Sequence, residues 1–204
     1  MPIIHQHKAI FVHVPKTAGT SIESIMGVGG LNPLYLRGHK SVLINNIKYT
    51  PQHYTAKMLL NHKLVENYWN TYLKFSVVRN PYTRVLSEFF WQKGKTKQTL
   101  KFDASEFDCF LNSYYKEINT DHKLSQTFYL YHRGKLLIDK IFKFENLNQN
   151  FNLFANEHWP KLKPLVHIQK SSNKNNYINL IENKHKDFIY GLYENDFKHF
   201  NYQR

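Results

Sequence analysis

Two stretches of this sequence place anion-binding groups where apolar segments end. The first is Pro15-Lys16-Thr17-Ala18-Gly19-Thr20-Ser21, directly after the apolar run Ala9 to Val14. Small residues between a strand and a helix leave several backbone N–H groups exposed. With the helix N-terminus those groups form an anion site. Lys16 adds a positive charge at the mouth, and Thr20 and Ser21 add hydroxyls in the first turn. Ala18 and Gly19 let the backbone approach an anion closely. The spelling is not that of a Walker loop, whose lysine comes late. Here Lys16 comes early, next to Pro15, with no upstream glycine pair. The plain alternative is a tight strand-to-helix turn carrying a surface lysine.

The second stretch runs from Phe75 through Arg79 to Ser87. Arg79 follows the apolar run Leu73 to Val78, at the carboxyl end of an expected strand. In open α/β sheets that edge is where ligands bind. Ser87 lies about two turns into the helix that follows, and Arg84 about one turn before it. A guanidinium and a hydroxyl converging on one phosphate make a sound bidentate arrangement. The alternative is an Arg79 that caps a helix or pairs with a carboxylate.

The elements that must hold these groups read as alternating strands and helices. Ala9 to Val14, Leu73 to Val78 and Leu136 to Phe144 are rich in β-branched and aromatic residues and are expected strands. Helices are expected from Ser21 to Met26, Thr55 to Tyr68, from Asn80-Pro81 onward, Phe107 to Tyr115, Leu147 to Phe154, and around Phe188 to Phe197. Asn80 suits the cap and Pro81 the first helical position. Gly38 to Tyr49 reads as either a short strand or a loop. Lys93 to Lys101 is polar and basic, and reads as a mobile loop. Pro160 to Asn176 is irregular and basic. Strands alternating with helices imply a parallel sheet covered on both faces. At 204 residues the chain is expected to form one domain, α/β in class, with neither an internal repeat nor a linker.

Composition narrows the partners. The chain holds 28 basic and 15 acidic side chains, a formal charge of +13. Such a field attracts anions: a nucleotide, an acidic glycan, nucleic acid or an acidic membrane. A basic surface with no partner at all would give the same count. Cys109 is the single cysteine, so neither an intrachain disulfide nor a zinc site of paired cysteines can form. The N-terminus has no apolar stretch of signal length, and the run Ala9 to Val14 is too short to span a bilayer. These features lead us to expect a cytoplasmic protein without a membrane span.

Taken together, Phe11-Val12-His13-Val14-Pro15-Lys16-Thr17-Ala18-Gly19-Thr20-Ser21 and Val78-Arg79-Asn80-Pro81-Tyr82-Thr83-Arg84-Val85-Leu86-Ser87 resemble the sulfotransferase family. That family includes the Golgi heparan and chondroitin enzymes and small bacterial relatives. Weaker similarity continues through Phe142 to Leu147 and Leu192 to Phe197. The resemblance implies a parallel-sheet fold related to that of P-loop nucleotide kinases. It implies 3′-phosphoadenosine-5′-phosphosulfate (PAPS) as donor, 3′-phosphoadenosine 5′-phosphate (PAP) as product, and a carbohydrate acceptor. It implies that Lys16 to Ser21 hold the 5′-phosphosulfate, with Lys16 on the bridging oxygen, and that Arg79 and Ser87 bind the 3′-phosphate. It also implies a histidine base between the two motifs. His53, ahead of Thr55-Ala56-Lys57, is favoured, and His39 is the alternative. A late basic loop, His167 to Lys174, resembles the family segment that closes over the nucleotide, with Lys170 and Ser171 as candidate donor contacts. Glu145 is a candidate to orient the base or the acceptor, or to cap the helix after it.

Two other functions compete. A nucleotide kinase or NTPase would need magnesium and an aspartate at a strand end, for which Asp139 is the weak candidate. A nucleic-acid-binding module would use the charge and the aromatics for phosphate contact and stacking. No metal site is suggested, since neither an HExxH motif nor a cysteine cluster occurs.

Overall fold

The computed structural model of the protein describes residues 3–28, 40–95, 101–166 and 176–204. In chain order the strands are β1 (Ile3–Ile4), β2 (Ala9–Val12), β3 (Val42–Ile44), β4 (Ile47–Tyr49), β5 (Leu73–Val78), β6 (Tyr131–His132), β7 (Lys135–Leu136) and β8 (Lys140–Lys143). The helices are α1 (Gly19–Ile25), α2 (Ala56–Leu60), α3 (Glu66–Trp69), α4 (Pro81–Lys95), α5 (Ala104–Tyr114), α6 (Gln126–Leu130), α7 (Leu147–His158) and α8 (Asn183–His199).

The central sheet has the order β1-β2-β5-β8. The β2–β5 and β5–β8 pairs are parallel, while β1 pairs antiparallel with β2 at the edge. Val12 is level with Ser76, and Val78 with Lys143. The three parallel strands therefore release their chains at one edge, where Lys16, Arg79 and Glu145 lie.

Successive side chains in a strand point to opposite faces, and the core divides accordingly. Ile10, Val12 and Val78 pack with Ala56, Leu59, Trp69 and Leu130. Phe11, Phe75, Val77 and Phe142 pack with Ile22, Leu147, Phe151 and Trp159 on the other face. A third cluster joins Val85, Leu86, Phe89 and Phe90 of α4 to Phe107 of α5 and to Ile189, Tyr193 and Phe197 of α8. Burying each of these larger side chains is worth about 1.5–3 kcal/mol.

Three expectations need correction. The expected helix from Thr55 to Tyr68 is two short ones, α2 and α3. Between them the His62 ring accepts the Leu64 N–H at 3.2 Å, so a side chain competes for a backbone donor. The expected strand from Leu136 to Phe144 is divided. Leu136 belongs to the β6–β7 hairpin, and Asp139 meets β5 by accepting the Lys74 N–H at 2.8 Å before β8 begins. The segment Lys93 to Lys101 is not wholly loop, because α4 continues through Lys95; residues 96–100 lie outside the described part. The ambiguous stretch before Tyr49 holds the β3–β4 hairpin.

Candidate functional site

The loop after β2 has a backbone that few residues adopt. Lys16 and Ala18 have φ of 68° and 71°, while Thr17 between them stays on the ordinary side. The left-handed region costs a residue with a side chain roughly 1–2 kcal/mol. Four carbonyls of this loop have donors. Val14 accepts from the Thr17 hydroxyl at 2.9 Å, Pro15 from Arg84 Nε at 3.2 Å, and Lys16 from Arg79 Nη1 at 3.2 Å. Ala18 accepts from the N–H groups of Ser21 and Ile22. With the carbonyls engaged, the alternating hand turns successive N–H groups towards one concave side, the form that receives a phosphate. Thr20 is exposed and Ser21 half-buried, whereas Thr17 is fully buried. The Thr17 hydroxyl thus braces the loop.

Gly19 has a further reason to be glycine. A Cβ there would collide with the His13 ring. The ring cannot retreat easily. His13 Nδ1 lies 2.6 Å from Glu23 Oε1, and the ring stacks on Phe11 at 5.5 Å.

Arg79 joins the two motifs. Besides the Lys16 carbonyl, its guanidinium donates from Nε to Thr83 Oγ1 at 2.9 Å and lies 4.1 Å from the centre of the Phe144 ring. Burial pulls it down to about 10, and nearby Glu145 opposes that shift. Its backbone is clamped by the Gln126 amide, which accepts the Arg79 N–H and donates to the Arg79 carbonyl, each at 2.8 Å. Asp196, fully buried on α8, in turn accepts the N–H groups of Gln126 and Thr127 at 2.8 Å. Half-buried Ser87 lies one turn beyond Thr83 on the same side of α4.

Arg84 does not join that side. It is buried and donates to the carbonyls of Pro15, His122 and Leu124, so it fastens the loop to the segment before α6. Its place one turn before Ser87 thus serves a structural role. Glu145 also takes a different part. It accepts the Asn80 N–H at 2.8 Å and the Tyr202 hydroxyl at 3.0 Å, so it holds the start of α4.

His53 is buried at the end of a 3-10 turn, Pro51–His53. Its Nδ1 donates to the His13 carbonyl at 3.0 Å. A carbonyl can only accept, so Nδ1 carries the hydrogen and Nε2 keeps the lone pair. Burial pushes His53 well below the ordinary histidine range, and the His13 and His122 rings push the same way. His39, Lys170 and Ser171 lie outside the described residues.

Sequence reasoning missed the surroundings of His53. His13 meets its ring at 4.5 Å and His122 at 5.1 Å, both edge-on. His122 Nδ1 lies 2.9 Å from Glu88 Oε2. Glu88 is buried and also accepts from Gln92 at 2.7 Å and from the Tyr114 hydroxyl at 2.9 Å. Burial alone would raise Glu88; the His122 hydrogen bond and the charges of His122 and Lys16 together hold it below the usual range. Trp91 stacks on His122 at 4.9 Å, and Lys16 Nζ lies 4.7 Å from the Trp91 ring centre. One signal was legible: Glu88 is a carboxylate set among Val85, Leu86, Phe89 and Phe90, on a stretch otherwise fit for a core.

A model of the sulfotransferase family matches residues 2–203, nearly all of the sequence. The chain belongs to the sulfotransferase family. Membership supports a transferase activity moving a sulfuryl group. No curated protein and no solved structure matched the chain. Among the described residues, no group of three or more His, Cys, Asp or Glu side chains is placed to hold a metal ion, and no helix is long and apolar enough to cross a membrane.

Proposed function

We propose that this sulfotransferase moves the sulfuryl group of PAPS to a hydroxyl on a carbohydrate acceptor and releases PAP. The hydrogen bond from Arg79 to the Lys16 carbonyl carries the reading. It joins two anion-binding segments 63 residues apart in sequence. A nucleoside with phosphate at one end and phosphosulfate at the other suits that pair, and the parallel sheet behind it supports a nucleotide-kinase-like fold.

In this reading the N–H groups of the loop, with Thr20 and Ser21, hold the 5′-phosphosulfate, and Arg79 with Ser87 holds the 3′-phosphate. Such fixed donors stabilise the charge that builds up during transfer. The acceptor oxygen forms a bond to sulfur as the bond from sulfur to the bridging phosphate oxygen breaks. Lys16 neutralises charge on that departing oxygen. The acceptor proton passes to His53 Nε2, the nitrogen with the lone pair. An anion held nearby favours the imidazolium that results. The formal charge of +13 favours an acidic glycan over a neutral one.

Thermal shift tests this reading against its competitors. At about 100 times its dissociation constant PAP should stabilise the fold by about 2.7 kcal/mol, roughly 5–10 °C for a chain of this length. ATP with magnesium and a short oligonucleotide should do much less. A PAP shift no larger than that of ATP would overturn the donor assignment.

A further inference from the structure

We propose that His13 and His122 are positioning residues for the base: two imidazoles, each backed by a carboxylate, that flank His53 and keep a resting proton off it. The inference rests on the reading of His53 as the base.

Five segments build the arrangement. His13 leaves the end of β2 and faces Glu23 of α1, with Nδ1 2.6 Å from Oε1. Gln52 holds the other oxygen of Glu23 at 2.8 Å. His122, in a 3-10 turn at Asp121–Lys123, faces Glu88 of α4 at 2.9 Å. His53 stands between the two rings, 4.5 Å from one and 5.1 Å from the other. Its own hydrogen bond is to the His13 carbonyl, which stabilises an imidazolium less than an ionised carboxylate does.

The other charged groups nearby are occupied elsewhere. Lys16 lies against Trp91 and acts on Glu88. Asp121 accepts the Thr50 N–H and hydroxyl at 2.6 and 2.7 Å. Lys123 donates to the Glu117 carbonyl and to Asn119, and Arg84 donates to the His122 carbonyl. A positive charge on an outer ring would sit 2.6 or 2.9 Å from a carboxylate oxygen. On the middle ring it would face two imidazoles at close range in a buried site, where like charges repel strongly. The base thus enters each turnover empty, ready for the acceptor proton.

The test uses the donor-free protein and histidine NMR titration, followed from pH 8 to pH 5. In the wild type, His53 should remain the neutral Nδ1–H form at pH 6.5. In His122→Gln its midpoint should rise by on the order of one pH unit, a tenfold gain in proton affinity. His122→Phe keeps an aromatic ring without the charge and should give the same rise, which guards against a folding fault in either variant. Wild-type His53 already protonated at pH 6.5, or a midpoint unmoved in the folded variants, overturns the inference. Because this readout needs no turnover, it fails independently of the donor assignment, which the PAP shift decides.

Discussion

Gly19→Ala is the sharpest single test of how the loop after β2 is held. The new methyl group would occupy space filled by the His13 ring. That ring is fixed by Glu23, by Phe11 and by the edge of His53. Forcing a methyl group into a filled site costs typically 1–3 kcal/mol. If His13 turns away instead, buried Glu23 loses a partner, at about 1–3 kcal/mol. Alanine recovers up to about 1 kcal/mol as a better helix former than glycine. The net loss should be about 1–2 kcal/mol, and for a chain of this size that lowers Tm by roughly 2–8 °C. The decisive measurement is a double-mutant cycle with His13→Ala, read by thermal or urea unfolding. With the ring gone, Gly19→Ala should be nearly neutral. An equal loss in both backgrounds would refute the argument and return Gly19 to a purely backbone role.

Lys16→Ala should lower turnover by about 10²–10³-fold and change Tm little, since a cation beside an exposed ring is worth about 0.5–1 kcal/mol; kinetics and unfolding curves separate the two. His53→Ala should cut kcat by about 10²–10⁴-fold and leave PAP affinity within about twofold; full activity there with loss in His39→Ala would move the base to His39. Arg79→Lys loses the fork that joins Thr83 to the Lys16 carbonyl, so PAP should bind about tenfold or more weakly by calorimetry. His53 also predicts a pH effect. Its folded pKa is depressed, so below pH 6.5 the unfolded chain binds a proton that the folded chain does not, and stability falls on acidification. Its full contribution is a slope of about 1.4 kcal/mol per pH unit, and His53→Gln should flatten the Tm profile between pH 6.5 and 5.

Much of the fold could be read locally. Leu73–Val78 is a strand as its β-branched and aromatic run requires, and α4 starts at Pro81 with the Asn80 side chain accepting the Tyr82 N–H. The turn at Lys16 and the strand end at Arg79 were legible, because small residues and the end of an apolar run mark them in the sequence. What lay hidden depends on contacts distant in sequence. Helix α6 has five residues and is anchored by Asp196, 70 positions away from Gln126. No local pattern links Glu88 to His122, or His13 to His53. The part played by Arg84 was hidden for the same reason: its guanidinium turns to three carbonyls from other segments.

The link from Asp196 through Gln126 and Arg79 to the Lys16 carbonyl has a consequence for dynamics. It runs from α8 through α6 to the loop after β2 without a gap. The amides of Gln126, Thr127 and Arg79 all sit in that link, and they should exchange with solvent only when α8 itself lets go. A ligand that steadies the loop would then slow deuterium uptake near Gln126 and Thr127, far along the chain from any phosphate it touches.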